Sequence, residues 1–168
     1  MTKHPTAPLP GRSPQNRAPG WALLLLLVVS TATAADFQGR VVHVIDGDSL
    51  IISVGGQRVN VRLKGIDAPE LKQPQGIASR QSLIAICGGE IATVDQAGDV
   101  RNGQATGRVA CNGTDAGAEQ VRRGMAWARQ ALESSESLSL LQEDARAARR
   151  GLWARPAPVP PWEWRQRQ

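Results

Sequence analysis

A chain of 168 residues is long enough for one domain with a substantial core and too short for two of ordinary size. Its 20 Lys and Arg outnumber 15 Asp and Glu, but Lys3, Arg12 and Arg17 stand in the first 34 residues, which hold no acid, and the remainder carries 17 bases against 15 acids. Bulk charge therefore excludes capture of a polyanion by net attraction alone, and makes local clustering the relevant question.

The chain opens with a polar, proline-rich, cationic lead from Lys3 to Arg17, an uncharged run from Trp21 to Val29 and a small-residue stretch from Ser30 to Ala35. That order is the order of a secretory signal peptide over residues 1–34, with Ala32 and Ala34 meeting the small-residue cleavage rule. The apolar run is shorter than the roughly 20 residues a membrane span needs, and the long lead leaves a retained anchor as the competing reading. The expected mature protein is secreted or periplasmic, with no stable membrane association. It comprises a domain at 35–155 and a Pro/Trp/Arg-rich tail at 156–168.

From Gly39 to Ile66, β-branched residues broken by Asp46-Gly47-Asp48 and Gly55-Gly56 predict three strands joined by tight turns. In the third, Val59, Val61 and Leu63 alternate with Arg58, Asn60, Arg62 and Lys64, so Arg62 faces away from the core. Pro69 ends this region, lacking an amide hydrogen and holding Ala68 extended. A helix is predicted from about Gln75 to Cys87, stopped by Gly88-Gly89, then extended runs at Glu90 to Val94 and near Arg108 to Cys111. Asp115 can cap a second helix through Ala118, Val121 and Met125, with Gly124 as its stop. Leu138, Leu141, Ala145, Ala148 and Leu152 are spaced for a third, ending at Gly151. Arg155 to Trp164 reads as extended. Strands first and helices after indicate α+β with a small antiparallel sheet or barrel.

Cys87 and Cys111 are an even pair in a chain expected to leave the cytoplasm, so a disulfide is the first hypothesis; no histidine has ligand spacing to either. His43 is the one histidine of the expected mature chain and reads as structural or solvated. Arg146, Arg149, Arg150, Arg155, Arg165 and Arg167 form either a solvated basic face or a phosphate-binding patch.

The polar residues at strand ends are individually ordinary turn and surface residues, and their significance lies in the combination. Asp48, Arg62, Asp67, Glu70 and Arg108 supply what phosphodiester hydrolysis requires: hard oxygens for a cation, donors for transition-state charge and a carboxylate to activate or orient water. Carboxylate and backbone oxygens suit calcium or magnesium rather than zinc. Arginine gives two parallel bonds to phosphate and stays protonated.

Val44-Ile-Asp-Gly-Asp-Ser49, Val61-Arg-Leu-Lys-Gly-Ile-Asp-Ala-Pro-Glu70 and Thr106-Gly-Arg108 resemble the three active-site blocks of the staphylococcal nuclease (thermonuclease) family. Val121-Arg-Arg-Gly-Met-Ala126 and Ala145-Arg-Ala-Ala-Arg-Arg-Gly-Leu-Trp153 resemble its two later helices, so that the likeness covers Gly39 to Trp153. The resemblance implies an OB-type five-stranded barrel with about three packed helices, a fold that often holds nucleic acid along one face. It implies Asp48, Asp67 and the backbone oxygen of Ala68 as Ca2+ ligands, Glu70 orienting or activating water, Arg62 and Arg108 stabilising the transition state, and Asp46 and Ser49 in support. It also implies DNA or RNA as substrate and 3′-phosphate products, and brings Cys87 near Cys111. Departures are Ala68 for the usual threonine, Ser49 for threonine, a shorter stretch from Glu70 to Gly76, and Gln104-Ala-Thr-Gly-Arg108 without the family's acid and tyrosine. The chain has no tyrosine, so the family's grip on a terminal nucleotide is not carried over.

Two other readings share these features: a non-catalytic OB-type module that binds nucleic acid or protein, and a calcium-stabilised secreted interaction domain using Pro156 to Trp164. For the N-terminal segment the expected outcome is that protein recovered outside the cytoplasm begins at or near Ala35, as read by N-terminal sequencing. Recovery of the intact Met1 form from the membrane fraction would show a retained anchor.

Overall fold

The computed structural model describes residues 36–96, 104–129 and 135–168; segment 1–34, read above as a signal peptide, lies outside the described residues. The β-branched N-terminal stretch forms β1 (Phe37–Val44), β2 (Ser49–Val54) and β3 (Gln57–Leu63), followed by the two-residue β4 (Ile66–Asp67). Later come β5 (Ile91–Gln96), β6 (Gln104–Cys111), β7 (Thr114–Asp115) and β8 (Trp127–Ala128). Strands β1, β2 and β3 pair antiparallel in succession, β1 also pairs with β5, and β5 pairs with β6. The circuit closes because β6 runs parallel to β3, with Leu63 opposite Gly107. The result is the expected five-stranded barrel of OB type, mixed rather than wholly antiparallel because of the parallel β3–β6 seam.

Alternation fills the barrel. Leu50 and Ile52 of β2, Val61 and Leu63 of β3, Val94 of β5 and Val109 of β6 are all buried, as period-two patterning of one-sided strands requires. Helix α1 (Gly76–Cys87) adds Leu83, and α2 (Ala116–Arg122) adds Val121 to the same core. The Asp115 cap is present as expected: its Oδ1 accepts from Ala118 N at 2.9 Å.

Two expectations are corrected. The third helix, α3 (Ser135–Ala147), stops before Ala148, which is exposed, and Leu152 lies in a separate 3-10 turn at Gly151–Ala154. The stop is Arg149, not Gly151: Arg149 takes φ 52°, its N–H donates to Arg146 O and Arg150 N–H donates to Ala145 O, a Schellman closure built without glycine. The tail is not extended throughout. Pro161 begins a fourth helix, α4 (Pro161–Gln166), because proline at the first helical position lacks only a hydrogen that would have had no partner there. Among the described residues the α-helices number four, against the expectation of about three.

Cys87 ends α1 and Cys111 ends β6, both buried, and they are bonded across a Cα–Cα distance of 5.4 Å. The bond closes a loop of 24 residues in sequence separation, which corresponds to about 3 kcal/mol of stabilisation in the chain-entropy account. Replacing both cysteines with serine should lower stability by about 3 kcal/mol and so lower the denaturant midpoint, with a somewhat larger m-value because the freed unfolded chain exposes more surface. An unaltered midpoint would show that packing alone holds α1 to β6.

Candidate active site

The turn between β1 and β2 presents the first acids. Ile45 N and Asp46 N donate to Ser49 O, and Asp46 Oδ1 accepts from Asp48 N at 3.0 Å, closing the turn on its own side chain. Gly47 is packed so tightly on α1 that an added Cβ would overlap the Ser79 hydroxyl, while Gln120 of α2, fully buried, donates Nε2 to Gly47 O at 2.7 Å. Two helices therefore grip the turn from behind and hold Asp48 pointing away from them.

Asp48 is 2% exposed and well supplied with donors. Its Oδ1 accepts from Ser49 Oγ at 2.9 Å, and its Oδ2 accepts from Ala68 N at 2.9 Å and Arg62 Nη2 at 3.1 Å. Arg62 lies opposite Ser49 in the β2–β3 register, which brings its guanidinium over the turn. The same Nη2 donates to Asp67 Oδ1 at 3.2 Å. Asp67 is 1% exposed and fixed by β4, where it pairs with Trp127 of β8. Asp46 and Ser49 thus support Asp48, and Ala68 touches it through its amide.

Glu70 follows Pro69 in a short loop, half in solvent. Its N–H donates to Gln73 Oε1 at 3.2 Å and its carbonyl accepts from Gln73 N at 2.8 Å. Gly76 allows this closeness, since a Cβ there would overlap the Glu70 carbonyl. Arg165 of α4 completes the group: Nη2 donates to Asp67 Oδ2 at 2.8 Å, and Nη1 donates to Glu70 Oε1 at 2.7 Å and more weakly to Asp67 Oδ1 at 3.3 Å.

Arg108 stands apart. It follows Gly107 on β6, at the open end of β3, but its Nε pairs with Asp115 Oδ2 at 2.8 Å, and its side chain is 65% exposed. With Lys64, Asp95 and Leu138 it lines a cavity of about 250 Å³ beside the barrel. The structure therefore joins Asp48, Arg62 and Asp67 directly, brings Glu70 to them through Arg165, and places Arg108 on a neighbouring wall. His43 is exposed. Sequence reading missed three contributors. Gln120 is recognisable only as a polar residue on a buried helical face; Gln73 and Arg165 leave no local signal, because their partners are distant in sequence or set by the loop.

Burial pushes the Asp48 carboxyl up to about 7; the Arg62 charge opposes this and the neighbouring Asp46 adds to it. Arg62 cannot cancel the cost because it is one-third exposed and divides its charge between two aspartates. Hydrogen bonds from Arg165 to Asp67 and then Glu70 hold that guanidinium above its ordinary range. Among the described residues no three Asp, Glu, His or Cys side chains form a closed metal cage. What converges is a pair of hard oxygens, Asp48 Oδ2 and Asp67 Oδ1, on two nearly inaccessible carboxylates. That donor set fits a hard divalent cation that completes its shell with backbone oxygen and water.

Comparison with known proteins agrees with this geometry. The family model described as staphylococcal nuclease homologue matches residues 60–155. An uncharacterized endonuclease of Escherichia coli is 37% identical over 87% of this chain and 96% of its own length. Protein ParB of Escherichia coli is 36% identical over 86% of the chain and 88% of its own, and a micrococcal nuclease of Shigella flexneri is 33% identical over 86% and 90%. The chain belongs to the staphylococcal nuclease family, a family of nucleases.

A carboxyl whose folded pKa is raised contributes most to stability below its unfolded value, near pH 4, and that contribution is lost as pH climbs through 7. With chelator present, Asp48→Asn should therefore raise the melting temperature relative to wild type at about pH 8 and make little difference near pH 4. An equal shift at both pH values, measured by calorimetry, would show that Asp48 folds as an ordinary charged acid.

Proposed function

We propose that this nuclease hydrolyses phosphodiester bonds of DNA and/or RNA in a calcium-dependent reaction that leaves 3′-phosphate ends. The observation that carries the reading is the convergence of two buried aspartates on one Arg62 nitrogen, with Glu70 tied to the second of them through Arg165. Asp48 and Asp67, with the Ala68 backbone oxygen, hold the cation. When bound, calcium supplies charge that polarises the phosphoryl oxygen of the substrate.

The chain's own groups do the rest. Glu70 borders a cleft shared with Asp46, Lys72 and Trp164, where its carboxylate orients a water molecule or takes its proton. Arg62, whose fork lies over the acid pair, swings to the phosphoryl oxygens and stabilises the charge that grows on them. Arg108 approaches from the β6 wall in the same role, exchanging Asp115 for phosphate. Lys64 and Lys72 are placed to follow the backbone of a polymer, and affinity through such contacts falls with salt. Without tyrosine, a terminal nucleotide is held weakly. The same reading takes residues 1–34 as the export signal and the mature protein as secreted or periplasmic.

Incubating the full mature chain with single-stranded DNA and RNA, with calcium or chelator, and identifying the new termini tests the whole reading. Cleavage should need calcium and yield 3′-phosphates. Asp48→Ala or Asp67→Ala should abolish turnover while the fold persists, and Glu70→Gln should lower the rate by at least about 100-fold with substrate binding little changed. Arg62→Lys and Arg108→Lys should each cost on the order of 3 kcal/mol in the transition state. Modest effects at all five positions would mean that cleavage is made elsewhere; binding without cleavage would favour the non-catalytic module.

A further inference from the structure

The C-terminal arginines read as a solvated face or a phosphate-binding patch, yet Arg165, with 43% of its side chain exposed, joins two acids that lie 98 and 95 residues earlier in the chain. Its helix is anchored to the same elements that place those acids. Trp162 packs edge-on against Trp127, with ring centroids 6.4 Å apart, and Trp127 is the residue that pairs with Asp67. Val159, just before α4, accepts from Gln73 Nε2 at 2.6 Å, and Gln73 is the residue that folds the Glu70 loop. Arg165 is thus fixed relative to Asp67 through one contact and relative to Glu70 through the other.

The two arginines divide the Asp67 carboxylate between its two sides. Arg62 Nη2 sits between Asp67 Oδ1 and Asp48 Oδ2, whereas the shorter Arg165 contact is to Asp67 Oδ2. Asp48 Oδ2 and Asp67 Oδ1, now bridged by Arg62, would hold the cation, and the shorter Arg165 contact uses the other Asp67 oxygen. Glu70 is different: its side chain is 40% exposed, and among the described residues Arg165 is the cation that reaches its carboxylate. A glutamate on a loop has three rotatable bonds, and a guanidinium fork removes that freedom while remaining charged at every working pH.

We propose that Arg165 is a positioning residue for the nuclease reaction, a clamp from the C-terminal helix that holds the Glu70 carboxylate at a fixed place beside Asp67. This rests on the assignment of Asp67 and Glu70 made above. The clamp acts through Glu70, so its loss lowers turnover rather than substrate affinity, and it has nothing to act on once Glu70 is replaced.

The test uses the full mature chain with single-stranded DNA and calcium. Arg165→Ala should lower kcat by about tenfold to a hundredfold with KM changed less than about threefold, and millimolar guanidinium should restore part of the loss. Adding Arg165→Ala to Glu70→Gln should cost nothing further, whereas a merely structural role would add its full effect. Arg167→Ala, whose guanidinium bridges only Glu163 on its own helix, should match wild type. A crystal structure of the Arg165→Ala protein should show the Glu70 carboxylate spread over several rotamers, and tryptophan fluorescence should report calcium affinity within about threefold of wild type. Unchanged kcat, a Glu70 side chain still in one position, or full additivity would overturn the proposal. So would faster cleavage with tighter calcium binding, the signature of a plug rather than a clamp. Those outcomes leave the proposed function standing as long as the wild-type chain cuts with calcium; a wild type that cuts equally well with chelator sinks the calcium assignment and leaves the clamp to the Glu70 rotamer readout.

Discussion

Two carboxylates that are almost wholly withdrawn from water, Asp48 and Asp67, repel one another and each forfeits hydration. The protein tolerates them because every exposed face of the pair meets a donor: the Ser49 hydroxyl, the Ala68 amide, and the guanidinium groups of Arg62 and Arg165. The balance is incomplete at Asp48, whose carboxyl burial pushes up to about 7. An acid pair short of positive charge is a structural cost in isolation and a binding site in the presence of a hard cation, so the same deficit that weakens the fold prepares the chemistry.

The barrel exists around this pair as a means of keeping it in register. Asp48 comes from the first turn, Arg62 from the strand opposite it, and Asp67 from the short strand that Trp127 pins. Neither Arg62 nor Asp67 could be displaced by one residue along its strand without reversing which way it points. The helices act from outside: Gln120 and Ser79 hold the turn, and Gly76 lets the Glu70 loop lie flat against α1. The turn of Asp48 and the loop of Glu70 are thereby held by strands and packed helices around them.

Much of this was readable from residues alone, and the reason is locality. Strand alternation, the Asp115 cap and the acid-bearing turn depend on neighbours within a few positions, and the alternation of Val61, Arg62 and Leu63 was enough to send Arg62 to the right side. The family resemblance supplied the remaining candidate positions in order. What failed was either non-local or a misread signal. The stretch Arg155 to Trp164 was read as extended although Pro161 starts a helix, Gly151 was read as the stop although Arg149 closes α3 in the left-handed region, and the reading of the tail arginines as a solvated face or phosphate patch gave no sign that one of them bridges Asp67 and Glu70. Arg165 is brought to its partners by the edge-on contact of Trp162 with Trp127 and by the Gln73–Val159 bond, and nothing in the spacing of those residues announces either contact.

The parallel seam between β3 and β6 has a kinetic meaning. Strands β1 to β3 can meet as successive hairpins within less than thirty residues, whereas Asn60 must find Gln104 across more than forty, including all of α1 and β5. Closing that long loop delays the reward until most of its entropy has been lost, so the seam belongs among the late events of folding. Before it forms, the first meander already carries Asp48 and Arg62, but the wall that holds Arg108 is not yet beside them. A chain halted at that stage would have Asp48 beside Arg62 but Asp67 not yet pinned by Trp127, and open sheet edges, a species prone to pair with its own kind.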